Sequence, residues 1–206
     1  MRGIAAIGLG LLLVGVAFAD QVVLTATDSK CIQPGTNSNW NDNRFRAYWS
    51  GNWVDGFVKF DFTSIPDTAV ITAMTLRTFH EEGFGNPYAD PEVRLYRVAV
   101  DSWARGQQDP HPGLNEVLTP IHTGFPAGNL IPYDWPINVG AANWTQDLQD
   151  NVLSLGMRNE KLQYSYVYWH GSDVSPAPPK LTVDYVPEPA SGLLIVALGA
   201  LIRRRH

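Results

Sequence analysis

Residues 57–62 read Phe-Val-Lys-Phe-Asp-Phe, and this stretch alternates with a period of two. Successive side chains of a β-strand point to opposite faces, so Phe57 shares a face with Lys59 and Asp61, opposite the other three residues. Residues 74–79 and 93–98 alternate in the same way. The three stretches predict an all-β fold.

The composition favours the same fold class. The 206 residues include 7 Trp, 8 Tyr and 8 Phe but only 3 Met, and aromatic side chains pack best on a pleated sheet. We expect a single domain over residues 20–186, with an extended surface loop at 106–136 that holds at most one short strand. Further strands are predicted at 22–26, 44–48, 162–169 and 180–185, and one helix at 144–155, with the apolar stripe Leu148, Val152 and Leu155.

The N-terminus has the three parts of a secretory signal peptide. Arg2 precedes an uncharged run at 4–18, and the run ends in the Ala-Phe-Ala sequence of residues 17–19. The run is shorter than the roughly 20 residues that span a bilayer. We therefore expect residues 1–19 to be cleaved during export, and a retained membrane anchor is the alternative.

The C-terminus carries a second pattern. Pro187, Glu188 and Pro189 precede 13 uncharged residues, 190–202, and then come Arg203, Arg204 and Arg205. This order at residues 187–206 resembles the PEP-CTERM sorting signal of Gram-negative bacteria. The resemblance implies recognition by an exosortase-type membrane protease, transient membrane contact, and delivery to the cell surface or extracellular matrix. The arginines are expected to stay cytoplasmic because moving them through lipid is expensive. A simple C-terminal anchor and a chance apolar tail are the alternatives.

The charge of the predicted domain argues against one class of partner. Residues 20–186 contain 11 Lys and Arg against 19 Asp and Glu, a net formal charge of −8. Nucleic acid is not expected to bind, because contacts with phosphate need a basic face. The single cysteine, Cys31, is interpreted as a buried thiol. An intermolecular disulfide is the alternative, because export leads to an oxidising compartment.

Four blocks of sequence follow one another along the predicted domain: residues 57–66 with 69–77, residues 93–98 with Asp101-Ser102-Trp103, residues 144–148, and residues 179–185. In this order they resemble the blocks of DNRLRE-type bacterial surface domains. The resemblance spans nearly the whole of residues 20–186. It implies a jelly-roll β-sandwich, and some relatives are carbohydrate-binding modules that include alginate binders. The long segment 106–136 departs from that pattern.

The polar segment 37–56 contains the candidate ligand-binding residues. Arg44 and Arg46 are two apart in a predicted strand, so both point to the same side and can pair with a uronic-acid carboxylate. Flat aromatic rings stack on the C–H faces of sugars. The rings in this segment belong to Trp40, Tyr48, Trp49 and Trp53. The alternative is that the tryptophans anchor loops and the arginines are solvated.

Acidic residues border the predicted loop after residue 80 and can hold a structural Ca²⁺, although no calcium-binding motif is met. These acids are Glu81, Glu82, Asp90 and Glu92, and solvated loop charges are the alternative. The sequence contains neither H-E-x-x-H nor G-x-S-x-G, and we expect no catalytic residues and no cofactor. The predicted function is non-catalytic binding or organisation of extracellular polysaccharide. A structural or adhesive surface protein without a sugar site, and a small polysaccharide lyase or hydrolase, are the alternatives.

Overall fold

The computed structural model describes residues 19–35, 38–40, 44–81, 90–126, 128–173 and 176–188, apart from the side chains of residues 38–40 and 45. The predicted signal peptide up to residue 18 lies outside the described residues. So does the predicted sorting tail from Pro189 onward, whereas Pro187 and Glu188 follow the last strand directly. Within the described ranges, no helix is both long enough and apolar enough to cross a membrane.

The described part of the chain is all-β, as the sequence predicts, with eleven strands in antiparallel pairs. A 3-10 turn at Val139–Ala141 and the short helix α1 at Thr145–Gln149 are its helical elements. The strands are β1 (Asp20–Thr25), β2 (Asp28–Gln33), β3 (Ser38–Trp40), β4 (Arg44–Trp49), β5 (Trp53–Asp61), β6 (Val70–His80), β7 (Val93–Val98), β8 (Ile131–Ile137), β9 (Val152–Asn159), β10 (Ser165–His170) and β11 (Lys180–Val186).

The strands form two sheets that are joined by β5. In sheet A, β6 pairs with β8 along one edge and with β11 and then β10 along the other. β1 pairs with β11, and β4 pairs with β10. Sheet B has the order β3-β2-β5-β9-β7. β5 starts in sheet A, where Trp53 lies opposite Trp49, and enters sheet B at Asp55.

One apolar core takes side chains from both sheets. Sheet A contributes the inward-facing residues of β6, β8, β10 and β11, and sheet B contributes those of β5, β7 and β9. Period-two alternation explains which side chains enter the core, because each strand buries one set of side chains and turns the other set outward. The largest fully buried members are Trp135, Trp169, Phe60, Phe62, Ile65, Leu76 and Leu95.

The other face of sheet B is covered by the chain segment 101–114. Trp103 packs there against Phe57, with ring centroids 6.0 Å apart. Two lysines of the sheet hold the segment: Lys30 Nζ donates to Ala104 O at 2.9 Å, and Lys59 Nζ donates to Asp101 O at 2.8 Å. The Lys59 ammonium also lies 4.3 Å from the centre of the Trp103 ring. Sheet B is therefore buried on both faces where this segment crosses it.

Part of the predicted loop at 106–136 is more regular than expected. Its last residues form most of β8. Before that, Val93 and His122 exchange backbone hydrogen bonds of 2.9 and 2.8 Å, and Leu118 N donates to Leu95 O at 2.9 Å. This stretch lies along the edge of β7 that β9 does not occupy, and it satisfies backbone groups that an open strand edge leaves unpaired.

The helix predicted over residues 144–155 is wrong beyond Gln149. α1 ends there, and Asn151 takes a positive φ of 62° that turns the chain. The following residues form β9, which pairs with β5 on one edge and β7 on the other. The stripe that includes Val152 and Leu155 has helical spacing. These residues nevertheless form a strand, because pairing with β5 and β7 satisfies the backbone N–H and C=O groups on both edges.

Cys31 is fully buried on β2, as the buried-thiol interpretation predicts. Its Sγ lies 3.8 Å from the carbonyl oxygen of Arg44, to which the thiol donates a weak hydrogen bond. A thiol in this position is shielded from another chain, so the structure does not favour the intermolecular disulfide.

Candidate functional site

The predicted residues of β4 lie next to β10. Ala47 is opposite Val167, and both side chains are buried. The alternate residues of each strand therefore face outward on sheet A. The outward pairs are Arg44 with His170, Arg46 with Tyr168, and Tyr48 with Tyr166. The register brings Arg44, Arg46 and Tyr48 to one face, as the spacing predicts, and adds three residues of β10.

Three tyrosine rings meet at one end of this face. Tyr48 lies 6.0 Å from Tyr164 and 5.8 Å from Tyr166, and Tyr164 and Tyr166 are 5.8 Å apart, measured between ring centroids. Tyr164 is 41% exposed, whereas Tyr48 and Tyr166 are half-buried. We call these three residues the tyrosine patch. Two of the three ring pairs make edge contacts and the Tyr48–Tyr166 pair is tilted, so the rings hold one another and a ligand meets a surface that is already in place.

The two arginines differ in what they can reach. Arg44 Nε lies 2.8 Å from Glu81 Oε2, and the Arg44 side chain is 32% exposed. Arg46 is only 6% exposed, its Nη1 donates to the Tyr168 hydroxyl at 3.2 Å, and its guanidinium carbon lies 5.1 Å from the Tyr168 ring centre. Burial also raises the pKa of Tyr168. Arg46 is therefore buried against Tyr168 and positions that ring. Arg44 is the arginine of this strand that is partly exposed to solvent.

Trp49 and Trp53 lie apart from the tyrosine patch. Trp49 lies two residues after the buried Ala47, so it belongs to the inward-facing set of β4. Trp53 Nε1 donates to Asn159 O at 3.1 Å, and the Arg158 guanidinium carbon lies 5.2 Å from a ring centre of Trp53. The two tryptophans are cross-strand partners of each other. Of the four predicted rings, Tyr48 therefore lies on the opposite face of β4 from Trp49. The ring of Trp40 lies outside the described side chains.

An aspartate and a histidine of sheet B and its covering segment form a dyad. His111 Nε2 lies 2.7 Å from Asp55 Oδ2, and the carboxylate of Asp55 is fully buried. Gly113 N donates to His111 Nδ1 at 3.0 Å, so the ring proton is on Nε2 and is donated to Asp55. Arg158 also holds Asp55, through Nε at 3.0 Å. Both nitrogens of the histidine are engaged within the protein, and the dyad fastens the covering segment to the sheet.

A second buried ion pair joins α1 to sheet B. Arg97 Nε lies 2.8 Å from Asp147 Oδ2, and Asp147 is 1% exposed. The other oxygen of Asp147 has no hydrogen-bond partner among the described residues. Burial raises the pKa of Asp147 to about 6, although Arg97 acts in the opposite direction. This carboxylate is therefore costly to keep ionised at neutral pH.

Two acids of the predicted calcium loop already pair with cationic side chains. Glu81 pairs with Arg44, and Glu92 lies 3.5 Å from Lys161. Glu82 lies outside the described residues. In the part of the chain that the structure describes, no group of three His, Cys, Asp or Glu side chains is arranged to hold a metal ion. Structural calcium stays a prediction.

The tyrosines in β10 and directly before it were not among the predicted site residues. Tyr164, Tyr166 and Tyr168 occupy alternate positions, and a strand places alternate positions on one face. This spacing is a signal that identifies an aromatic face as soon as the segment is assigned to a strand. Their partnership with Tyr48 depends on the pairing of β4 with β10, which joins residues more than 100 positions apart.

Comparison of the sequence with models of known protein families and with curated proteins finds no match. The resemblances to PEP-CTERM signals and to DNRLRE-type domains therefore stay predictions.

Proposed function

We propose that this chain is an exported, non-catalytic protein that binds extracellular polysaccharide on the outer face of sheet A. The tyrosine patch is the observation that supports this function. Its rings are partly open to solvent. Tyr48 and Tyr166 lie on neighbouring strands, and Tyr164 lies in the loop directly before β10. An extended polymer fits such a surface, because an open sheet face offers contacts along its length.

Stacking supplies the main attraction in this proposal. The C–H faces of a sugar ring are apolar and pack on an aromatic ring, while tyrosine hydroxyls exchange hydrogen bonds with sugar hydroxyls. Tyrosine has two side-chain torsions, so little conformational entropy is lost when a ligand orders it. The contacts among Tyr48, Tyr164 and Tyr166 reduce that loss further.

Arg44 adds a polar contact further along the same face, four residues before Tyr48 in β4. Its guanidinium is held by Glu81 and lies 6.0 Å from the Tyr168 ring centre. Because Glu81 already neutralises it, a uronate carboxylate gains less from Arg44 than from an unpaired arginine. In this proposal Arg44 orients the polymer, and stacking on the tyrosines provides most of the affinity.

Export and sorting complete the proposal. The signal peptide at residues 1–19 directs the chain out of the cytoplasm. The tail at 187–206 is then recognised by an exosortase-type protease during transient contact with the membrane. The domain reaches the cell surface or the extracellular matrix, where polysaccharide is available to it.

Affinity electrophoresis tests the binding function. The purified protein is run through native gels that contain neutral or acidic polysaccharides, and retardation relative to a gel without polymer measures binding. We expect wild-type protein to be retarded, and Tyr164→Ala or Tyr166→Ala to weaken binding by about 1 to 3 kcal/mol, the scale of an aromatic hot spot. Leu162→Ala is the matched control, because Leu162 is 63% exposed and precedes β10 in the same loop as Tyr164.

Two results would contradict the proposal. Absence of retardation on every polysaccharide would favour the structural or adhesive surface protein. Equal retardation of wild type and both tyrosine variants would move the sugar site away from the tyrosine patch. Release of products from alginate or pectin by the wild-type protein would instead support a lyase or hydrolase.

A further inference from the structure

A shallow groove lies elsewhere on the outer face of sheet A. Its volume is about 270 Å³. Four neighbouring strands contribute to it: β1, β11, β6 and β8. The lining residues are Val23, Thr75, Arg77, Asp134, Lys180 and Thr182. The groove thus consists of strand residues whose relative positions are fixed by the ladder of the sheet.

Arg77 lies in the middle of the groove between two charged neighbours. The register places it opposite Lys180 on one side and Asp134 on the other. Its Nε and Nη2 donate to the two carboxylate oxygens of Asp134, both at 2.7 Å. This bidentate pair holds the guanidinium flat on the sheet and leaves the N–H groups of Nη1 available. Because both side chains are about half exposed, water can be replaced there by a ligand.

Lys180 is the second cation of the groove. Among the described residues its ammonium has no ion-pair or hydrogen-bond partner. Thr75 and Thr182 lie opposite each other in the ladder and add two hydroxyl groups. Val23, which is 56% exposed, adds an apolar wall. Donors are therefore in excess of acceptors, and an apolar surface lies beside them.

We propose that this groove binds a carboxylate-bearing sugar unit of the polysaccharide that the tyrosine patch holds. The inference rests on the proposed function and adds the class of sugar. The groove has two cations and one anion, although residues 20–186 have a net formal charge of −8. Lys180 and Arg77 Nη1 donate to the carboxylate, the threonines bond sugar hydroxyls, and Val23 contacts the C–H face.

The geometry of sheet A relates the two sites. His80 of β6 lies opposite Trp169 of β10, and the strands are antiparallel. Arg77 is three residues from this point in one direction, and Tyr166 is three residues from it in the other. At the strand rise this separates the groove from the tyrosine patch by roughly 20 Å along the sheet. One extended polymer can contact both sites, and the second contact then benefits from a high effective concentration.

Affinity electrophoresis with two kinds of polymer tests the inference. Gels contain either alginate, a polyuronate, or a neutral glucan. We expect Lys180→Gln to weaken binding to alginate about tenfold, the scale of a lost charge-assisted hydrogen bond, and to leave binding to the neutral glucan unchanged. Lys180→Arg keeps the charge and is expected to retain binding to alginate within about twofold. Arg105→Gln, on the segment that covers sheet B, changes net charge equally and serves as the control.

The outcomes separate the groove from the tyrosine patch. Loss of alginate binding in Tyr164→Ala with wild-type binding in Lys180→Gln would overturn the groove inference and keep the proposed function. Loss in Lys180→Gln with wild-type binding in Tyr164→Ala would overturn the function of the tyrosine patch and leave an acidic-sugar site in the groove. An equal loss on alginate and neutral glucan in Lys180→Gln would show that charge recognition is not involved and would overturn the inference. Thermal unfolding of each variant checks that the fold is retained.

Discussion

Lys30 is a fully buried lysine whose replacement gives a sharp test of how the segment 101–114 is held on sheet B. Its Nζ lies 2.7 Å from Asp109 Oδ2 and 2.9 Å from Ala104 O. Lys30→Met keeps most of the apolar stem but removes the ammonium. The substitution leaves the Ala104 carbonyl and the Asp109 carboxylate without their cation, while the packing of the stem is retained.

The expected loss can be estimated from these contacts. Breaking a buried ion pair by removing one partner costs about 3 to 5 kcal/mol. The side chain of Asp109 is 19% exposed and also accepts a hydrogen bond from Ala104 N at 2.9 Å, so water can partly replace Lys30. We therefore expect Lys30→Met to lower the free energy of unfolding by about 2 to 4 kcal/mol. Asp109→Asn is expected to cost less, because its amide oxygen can still accept from Lys30.

Urea unfolding followed by tryptophan fluorescence measures these losses. Trp103 reports on the segment itself, because its ring centre lies 5.8 Å from Lys30 Nζ. Lys161→Met is the control: this lysine lies 3.5 Å from Glu92 near the surface, and its loss is expected to cost less than about 1 kcal/mol. The double variant Lys30→Met/Asp109→Asn completes a cycle whose coupling we expect to be about 1 to 3 kcal/mol.

Two results would refute this reasoning. Wild-type stability of Lys30→Met would show that the ammonium contributes nothing beyond its stem. Additive losses in the double variant would show that Lys30 and Asp109 act independently, despite the 2.7 Å that separates their atoms.

Two further predictions concern stability. Gly156→Ala is expected to lower the free energy of unfolding by about 1 to 3 kcal/mol, because the new Cβ overlaps Leu114 and lies 3.1 Å from a methyl group of Val98. For Asp147 the raised pKa of about 6, against 3.8 in an unfolded chain, means that the folded state binds the proton more tightly. Its contribution is therefore most favourable below pH 4, and about 3 kcal/mol is lost as the pH rises through 6. The unfolding free energy of Asp147→Asn is expected to lack this slope between pH 4 and 7.

The controls for these two predictions come from the same chain. Gly140→Ala places a Cβ at an ordinary 3.5 Å from Asn138 Oδ1, so its stability is expected to stay close to that of wild type. Equal stability of Gly156→Ala and Gly140→Ala would contradict the packing argument. Burial lowers the pKa of His122, so protonation of this histidine destabilises the folded protein as the pH falls below 6.5. This effect on the unfolding free energy has the opposite sign to that of Asp147. The difference between wild type and Asp147→Asn isolates the carboxylate, and parallel pH curves would contradict its assignment.

Strands whose sequence alternates between apolar and polar residues were predictable, and a strand whose sequence lacks this alternation was not. β6 alternates because Met74 and Leu76 enter the core while Thr75 and Arg77 face outward. β2 was missed because Ser29, Lys30, Cys31 and Ile32 are all buried. Lys30 is buried there by the segment 101–114, a contact between parts of the chain about 75 positions apart. No local pattern records such burial.

Sequence predicted the residues of the candidate site that lie on one strand, but not those that strand pairing brings to the same face. Arg44, Arg46 and Tyr48 belong to one strand, and their common face follows from their spacing. Tyr164 and Tyr166 become part of the same surface only through the register of β4 and β10. Sequence spacing also gave no sign that Arg46 is buried against Tyr168 while Arg44 is held by Glu81.

The aromatic content of the chain has a different meaning once burial is known. Four of the seven tryptophans are under 10% exposed: Trp103, Trp135, Trp144 and Trp169. They fill the core and the layer under the segment 101–114, so an abundance of tryptophan does not by itself indicate sugar binding. Tyrosine suits the outward face better, because its hydroxyl stays hydrated while its ring offers a stacking surface. Since the segment 101–114 covers sheet B, the outer face of sheet A is where, among the described residues, partly exposed aromatic rings and the two cations of the groove lie on one surface.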